Sequence, residues 1–205
     1  MVRYEQFVYE PEIIIAILDI CEVAYVGFQD RNNAYVVPLI YGYEATKDQL
    51  LIFLHTGKEG YTQKLLRKNP RVCCTFAAWR NFPERPYKGH IHDYRSVMAF
   101  GRIRLIDQKA EADFCRDAMQ ALFRKTNRTE CRNPGGMPAT NMYVIECNWE
   151  DVSGKTETPV RSPDDVPFVD VYSVPEDQNP YDQSDLRLTR KNEIRNKNYL
   201  GFLDN

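Results

Sequence analysis

Short apolar runs alternate with turn-forming stretches along most of the chain. Runs rich in β-branched and aromatic residues, bounded by Gly, Pro, Asn and Asp, are typical of strands. They predict six strands, at residues 22–28, 34–44, 49–55, 71–79, 93–106 and 141–149. Short strands that follow one another mostly in hairpin order favour a small closed or half-open barrel over a doubly wound sheet.

Three stretches between or before these strands have helical spacing. A short helix is predicted at 10–20, with Pro11 at the first helical position, and a second at 59–69, ended by Pro70. A longer helix at 108–125 has the clearest amphipathic pattern. Its apolar face consists of Ala112, Cys115, Met119, Leu122 and Phe123. The pattern therefore predicts a mainly β fold with flanking helices.

Two residues interrupt the strand pattern. Pro38 lies in the middle of the strand predicted at 34–44. Because proline cannot donate to a strand ladder, this strand must lie at an edge, be bulged or face a ligand there. Gly101 lies within the strand predicted at 93–106 and indicates a bulge or a close approach of another backbone.

The strand predicted at 49–55 changes character where it ends. After the apolar run come His55 and Thr56, then Gly57 and Gly60, and then the predicted helix with Lys64. The first amides of a helix have no internal partner, so such a corner is suited to bind an anion. Thr56 would add a hydroxyl donor and Lys64 a positive charge. A glycine-containing turn between a strand and a helix is more often only a turn, so the corner alone does not establish a site.

Composition and charge narrow the classes of function. The 205 residues are 43% apolar and carry a net charge of -2, with a pI near 6.0, so bulk electrostatics does not favour nucleic acid. The first residues do not match a signal peptide. No apolar stretch approaches the roughly 20 residues of a membrane helix. We therefore expect a cytoplasmic protein that binds neither nucleic acid nor membrane.

The six cysteines form no C-x-x-C pair, which disfavours a zinc knuckle. We interpret them as free thiols in a reducing compartment. Cys73 and Cys74 are neighbours in a predicted strand and should point to opposite faces. His90 and His92 also alternate on an extended segment, and we assign no metal site to them.

Composition changes after residue 155. Residues 156–185 contain eight acidic residues, one arginine and five prolines, a composition that cannot build a core by itself. Residues 186–205 are basic and end in "NYLGFLDN". Two interpretations stay open: a disordered tail, or an arm that docks on the barrel or on a partner subunit. The candidate anchors of such an arm are Phe168, Val169, Val171, Tyr172, Tyr199, Leu200, Phe202 and Leu203.

Five motifs follow one another in a specific order. They are "YVVPLIYGYE", "LLIFLHTGKEG", "NPRVCCTF", "YRSVMAFGRIRLI" and, after a helix, "YVIECNWEDVSGK". In this order they resemble the flavin-binding split barrel of the pyridoxamine 5'-phosphate oxidase superfamily, and within it the nitroimidazole-resistance (Nim) branch. The resemblance covers roughly residues 1–155, which we treat as one domain, and leaves 156–205 as an extension. It implies a six-stranded Greek-key split barrel that forms a homodimer.

The resemblance also implies two FMN sites per dimer, each lined by both subunits. Residues 37–39 would run beside the isoalloxazine, the corner after the third strand would hold the phosphate, and the fifth strand would pack near the ring. The implied cofactor-binding residues are Val37, Pro38, Leu39, His55, Thr56, Gly60, Tyr61, Thr62, Lys64, Ser96 and Val97.

The chain departs from the Nim pattern at one of these positions. That pattern has a lysine two residues after the glycine matched by Gly60, and Thr62 stands there instead. Either Lys64 substitutes from the next turn or phosphate binding is weaker. The groups donated across the dimer interface would come from Tyr94, Trp149 and Lys155.

The resemblance implies an FMN-dependent oxidoreductase, nitroreductase-like or pyridoxamine 5'-phosphate oxidase-like. Its substrate would be a small electron-poor molecule such as a nitroaromatic, reduced at the expense of a separate electron donor. No protein nucleophile is implied and we assign no catalytic residue. Two alternatives remain: a flavin-binding protein without a substrate, and a haem-binding member of the fold with His55 or a loop histidine as axial ligand. FAD is an alternative to FMN.

Overall fold

The computed structural model describes residues 6–81, 92–126 and 140–168, and within them the chain is mainly β. The strands are β1 (Phe7–Val8), β2 (Ala24–Asp30), β3 (Asn33–Leu39), β4 (Tyr41–Ala45), β5 (Gln49–Gly57), β6 (Arg71–Asn81), β7 (His92–Leu105), β8 (Thr140–Asn148) and β9 (Val152–Thr156). The helices are α1 (Pro11–Ile20), α2 (Tyr61–Leu66) and α3 (Ala112–Lys125). None of these helices is both long and apolar enough to cross a bilayer.

The described residues form nine strands where the sequence pattern predicted six. The short strands β1 and β9 were not predicted. The single strand predicted at 34–44 is wrong, because the chain breaks at Ile40 into β3 and β4. These two strands then lie at opposite ends of the strand order β3-β2-β6-β7-β8-β5-β4. The prediction of a mainly β fold is confirmed, and the antiparallel sheet is consistent with a split barrel.

Pro38 lies where a proline can be accommodated. In the described sheet β3 pairs with β2 alone, with Pro38 opposite Tyr25. Of the three possibilities that Pro38 left open, the edge position is the one observed, and the missing N–H of proline costs no ladder hydrogen bond there. Gly101 is a point of close approach, because a Cβ atom there would lie 2.6 Å from both the Cys147 sulfur and the Glu146 carbonyl oxygen.

The chain divides into two compact units. One unit comprises Cys21–Ala77 and Val97–Val152. In it, α3 packs on one face of β4, β5 and β8. That core consists of Leu51, Phe53, Ile106, Cys115, Ala118, Ala121, Leu122, Met142 and Val144. The opposite-facing residues of β5, namely Leu50, Ile52 and Leu54, are also buried. The uninterrupted apolar run of β5 is therefore explained by burial on both faces of the strand.

The other unit comprises Met1–Ile20, Ala78–Ser96 and Ser153–Asn205. In its described part, β1 pairs antiparallel with β9, and α1 buries Ile13, Ile14, Ile17 and Leu18.

A buried ion pair also belongs to this unit. Arg95 donates to Asp93 at 2.5 Å, and the two side chains are 1% and 0% exposed. Thr158 N also donates to Asp93, while Arg95 Nε donates to the Val166 carbonyl oxygen. The Phe168 ring lies 5.2 Å from the Arg95 guanidinium carbon. Residues 156–168 are thus packed, whereas the other predicted anchors of the extension lie outside the described residues.

Candidate functional site

The corner after β5 is exposed because its two neighbouring strands end at different places. On one side β5 pairs with β4 only as far as Leu54, opposite Tyr41. On the other side it pairs with β8 as far as Gly57, opposite Thr140. Residues 55–57 therefore extend past β4. Their burial follows from this: His55 and Gly57 are exposed and Thr56 is half-buried, directly after a fully buried run.

The helix after this corner is shorter than predicted. The sequence predicted a helix at 59–69, but α2 is only Tyr61–Leu66, with Gly60 before it. A helix of six residues supplies little dipole, so the helix N-terminus is a weaker source of anion affinity than the sequence suggested. Gly60 has φ 153°, a backbone conformation that favours glycine, and the corner depends on it.

Three polar groups at the corner form a closed hydrogen-bond ring. Gln63 Nε2 donates to Thr56 Oγ1 at 2.8 Å and to the Gly57 carbonyl oxygen at 2.7 Å. Thr56 Oγ1 donates to the same Gly57 oxygen at 3.0 Å. Gln63 is only 8% exposed although it lies on a short surface helix. Nothing in the residue pattern indicated this role, since a polar residue on a helix is usually in solvent.

A second amide closes the corner from β8. Asn141 lies opposite Thr56 in the β5–β8 pair. Its Nδ2 donates to the Lys58 carbonyl oxygen at 3.4 Å and to the Tyr143 hydroxyl at 3.3 Å. The loop between β5 and α2 is thus held by side chains on both sides, which fixes the position of the Thr56 hydroxyl.

Tyr61 brings the corner next to β3. Its hydroxyl donates to Asp30 at 2.6 Å, and its ring meets the Tyr35 ring edge-on at 5.2 Å between centroids. The hydrogen bond to Asp30 raises the pKa of the Tyr61 phenol above its usual value. The corner therefore lies beside Tyr35, near the start of β3, and Asp30 and Tyr35 are neighbours of the corner that the sequence did not reveal.

The edge strand β3 exposes one of its faces. Val36 is 53% exposed and Pro38 is exposed, whereas Val37 and Leu39 are half-buried against β2. Within the described sheet β3 has a strand partner on one side only, so the backbone groups on its other side are available to a ligand.

The remaining predicted site residues differ in exposure and in their hydrogen bonds. Lys64 is exposed in the last turn of α2, and Thr62, which stands where the Nim pattern has lysine, is half-buried. Val97 is 1% exposed, so its side chain faces the interior. Ser96 belongs to the unit that contains Met1–Ile20, where its Oγ donates to the Lys155 carbonyl oxygen at 3.2 Å.

Two of the three residues predicted to cross a dimer interface are neighbours. Lys155 Nζ lies 5.8 Å from the Tyr94 ring centroid and 5.8 Å from that of Phe7. Trp149 belongs to the other unit, where its Nε1 donates to the Thr46 carbonyl oxygen at 3.0 Å.

The five described thiols provide no second site. Burial raises the pKa of Cys21 and of Cys147 to about 12, which keeps both as neutral thiols. Cys74 is buried and Cys73 half-buried, as their opposite faces predicted. The described part of the chain holds no cluster of three metal-binding side chains. Cys131, His90 and the His92 side chain lie outside what the structure describes.

The sequence of this chain matches the family model described as pyridoxamine 5'-phosphate oxidase over residues 10–156, more than half of its length. The chain belongs to the pyridoxamine 5'-phosphate oxidase family. The family predicted from the motif order is thereby confirmed. No curated protein sequence matches the chain.

Solved structures with the same fold include two flavin proteins and one resistance protein. A candidate 5-nitroimidazole antibiotic resistance protein from Bacteroides thetaiotaomicron is 22% identical, with a TM-score of 0.57, over 73% of this chain and 86% of that one. The flavocytochrome Anf3 from Azotobacter vinelandii is 22% identical, with a TM-score of 0.55, over 86% and 90%. The FAD and heme binding protein from Mycobacterium smegmatis is 16% identical, with a TM-score of 0.54, over 78% of each chain. At these identities the likeness establishes the fold of this pyridoxamine 5'-phosphate oxidase family member and no more.

Proposed function

We propose that this protein binds FMN and uses it to reduce a small electron-poor molecule such as a nitroaromatic. The observation that carries the proposal is the polar corner of residues 55–64 beside the exposed edge strand β3, joined through the Tyr61–Tyr35 contact. A phosphorylated flavin needs both kinds of surface, an anion site and a flat, hydrogen-bonding one. Family membership supports the same choice.

The donor set of the corner fits a phosphate. The Thr56 hydroxyl donates to the Gly57 carbonyl oxygen, a neutral acceptor, so its proton can turn to a more strongly accepting anion. The exposed Lys64 adds positive charge from α2. Gly60 leaves room for a close approach of a ligand to the backbone. These contributions replace the helix dipole, which a six-residue helix supplies only weakly.

The free edge of β3 fits the ring system of a flavin. On the side away from β2, the Pro38 carbonyl oxygen and the backbone N–H and C=O groups of Val36 would pair with the polar atoms along the isoalloxazine edge. The exposed Val36 and Pro38 side chains offer apolar contact. When bound, the flavin supplies the electron transfer itself, and the protein binds and orients it. We assign no proton-transfer residue.

We further propose that the protein is a homodimer. On the outer face of β2 and β3, Tyr25 is 45% and Val36 is 53% exposed. Tyr25 lies opposite Pro38, and Val36 opposite Gly27, so these residues share one face of the sheet. An exposed apolar face of this kind supports association.

A cytoplasmic location is also proposed, supported by the five described cysteines, which are all free.

FAD or haem binding is the second candidate. Two structures with this fold are of a flavocytochrome and of an FAD and heme binding protein. His55 is exposed at the end of β5, and in this candidate its imidazole would be the haem ligand.

The absorption spectrum of the purified protein, followed by identification of the cofactor released on denaturation, separates these candidates. FMN in the supernatant, or uptake of added FMN, is the expected result. A colourless protein that does not quench added flavin would exclude both flavin candidates, and a haem spectrum would select the alternative. Turnover of a nitro compound with a reduced nicotinamide then tests whether the protein is an enzyme.

A further inference from the structure

Gln63 is the residue at the corner whose role the sequence did not suggest, and its geometry is specific. Its side-chain nitrogen lies 2.8 Å from Thr56 Oγ1 and 2.7 Å from the Gly57 carbonyl oxygen. A buried amide needs partners for both of its protons. Here both protons are used, one on each of these acceptors.

The orientation of the Gln63 amide follows from the chemistry of its hydrogen-bond partners. Amide nitrogen and oxygen are hard to tell apart by shape, and their assignment depends on the hydrogen-bond partners. The Gly57 carbonyl oxygen can only accept, so the group that faces it must be the NH2. The same NH2 also faces Thr56 Oγ1, so Thr56 must accept there.

This arrangement determines what the Thr56 hydroxyl can do. A hydroxyl has one proton to donate and can accept through its lone pairs. Since Gln63 donates into a lone pair of Thr56 Oγ1, the Thr56 proton points elsewhere. It is either on the Gly57 oxygen, at 3.0 Å, or on a ligand. Gln63 also donates to that Gly57 oxygen, so this carbonyl is a weaker acceptor for the Thr56 proton.

We propose that Gln63 is a positioning residue that keeps the Thr56 hydroxyl available as a hydrogen-bond donor to the anionic group of the ligand. This inference rests on the proposed function, because it specifies how the same corner recognises a phosphate. It also explains a local constraint. A Cβ atom at residue 60 would lie 3.0 Å from Gln63 Oε1, so glycine there leaves room for the amide as well as for the φ of 153°.

Gln63→Met tests the proposal with little change of volume. The variant keeps an unbranched side chain of similar length but has no donor. Without Gln63, the Gly57 carbonyl oxygen competes more strongly for the Thr56 proton, and the hydrogen bond from Thr56 to the phosphate is weakened. The measured quantity is the ratio of the affinities for FMN and riboflavin, because riboflavin lacks the phosphate. We expect this ratio to fall roughly ten-fold in Gln63→Met.

The decisive comparison is a double-mutant cycle with Thr56→Val. If Gln63 acts through the Thr56 hydroxyl, Gln63→Met should lower the ratio in the parent protein and leave it unchanged in the Thr56→Val background. A merely structural role would lower the affinities for both flavins together and would leave their ratio intact. Gln120→Met, at an exposed position of α3, is the matched control and should leave the ratio unchanged. If Gln63→Met does not fold, Gln63→Leu serves in the same cycle, since it also removes the donor without adding a negative charge beside the anion site.

Each outcome of this double-mutant cycle supports or overturns the proposed role of Gln63. A preference for FMN that falls only when Thr56 is present supports the inference. A preference that Gln63→Met leaves intact, or lowers equally in both backgrounds, overturns the inference and leaves the phosphate site standing. If the parent protein itself binds FMN and riboflavin equally, the phosphate site is wrong and the inference fails with it.

Discussion

At the scale of single residues, the buried thiols make the free energy of unfolding depend on pH. Burial raises the pKa of the Cys147 thiol to about 12, whereas an unfolded cysteine titrates near its usual value of about 8.5. Because the folded pKa is the higher one, the stability contributed by the neutral thiol is fully present below about pH 8.5. It is lost as the pH rises from there through about 12.

Cys147→Ala should therefore make the protein less sensitive to alkaline pH. Between about pH 9 and 11, the parent should lose up to about 1.4 kcal/mol of unfolding free energy per pH unit through this thiol, and the variant should not. Urea unfolding at several pH values measures the difference. Cys73→Ala is the control, because Cys73 is only half-buried and should show a smaller effect. A difference between parent and Cys147→Ala that is independent of pH would contradict this explanation.

The chemistry of the corner was only partly predictable from its residues. His55, Thr56 and Gly60 were visible as polar and flexible positions after a buried strand. The role of Gln63 was not, because its partners are six and seven residues earlier and meet it only once the turn at Gly60 is made.

At the scale of elements, α3 lies so close to β4 that only glycine fits between them. A Cβ atom at Gly42 would overlap the backbone of Ala121 and Leu122, and backbone cannot move aside as a side chain can. The amphipathic pattern of α3 is visible in the sequence, but its approach to Gly42 is not, since that contact joins residues far apart in the chain.

Gly42→Ala should destabilise the protein by about 1–3 kcal/mol or more, because the added methyl group forces α3 away from the sheet. Thermal or urea unfolding measures the loss. Gly57→Ala is the matched control for stability, since the nearest atom to its Cβ is 3.8 Å away. An unchanged unfolding midpoint for Gly42→Ala would show that α3 does not pack on β4 as described.

Element boundaries were predicted less well than element types, for identifiable reasons. The break at Ile40 lies inside a continuous apolar run, so alternation gives no sign of it. In β9, residues on both faces are buried, among them Val152, Ser153 and Thr156, so period-two alternation is absent.

At the scale of the whole molecule, contacts between distant segments of the chain bury residues that the sequence pattern places at the surface. Asp93 and Arg95 have the pattern of surface charges on a strand. They are buried because residues 156–168 return to them and supply Thr158 N and the Val166 carbonyl oxygen. A sequence pattern, being local, cannot contain this information.

The proposed homodimer is tested at the same scale. Tyr25→Glu places a charge on the exposed apolar face of β2 and β3 and should shift the protein towards monomer, because burying an unpaired charge is costly. Light scattering at micromolar concentration gives the mass. Gln120→Glu adds the same charge on α3 and should leave the mass unchanged. A parent protein that is monomeric and still binds flavin normally would refute the proposal.

The most direct test of the account is an equilibrium titration of the parent protein and Thr56→Val with FMN and with riboflavin. A hydrogen bond to a charged group contributes about 1.5–3 kcal/mol. Thr56→Val should therefore weaken FMN binding by roughly 10- to 150-fold and leave riboflavin binding nearly unchanged. The parent should bind FMN more tightly than riboflavin. Equal affinities of the parent for the two flavins, or an equal loss for both in Thr56→Val, would contradict a phosphate site at this corner.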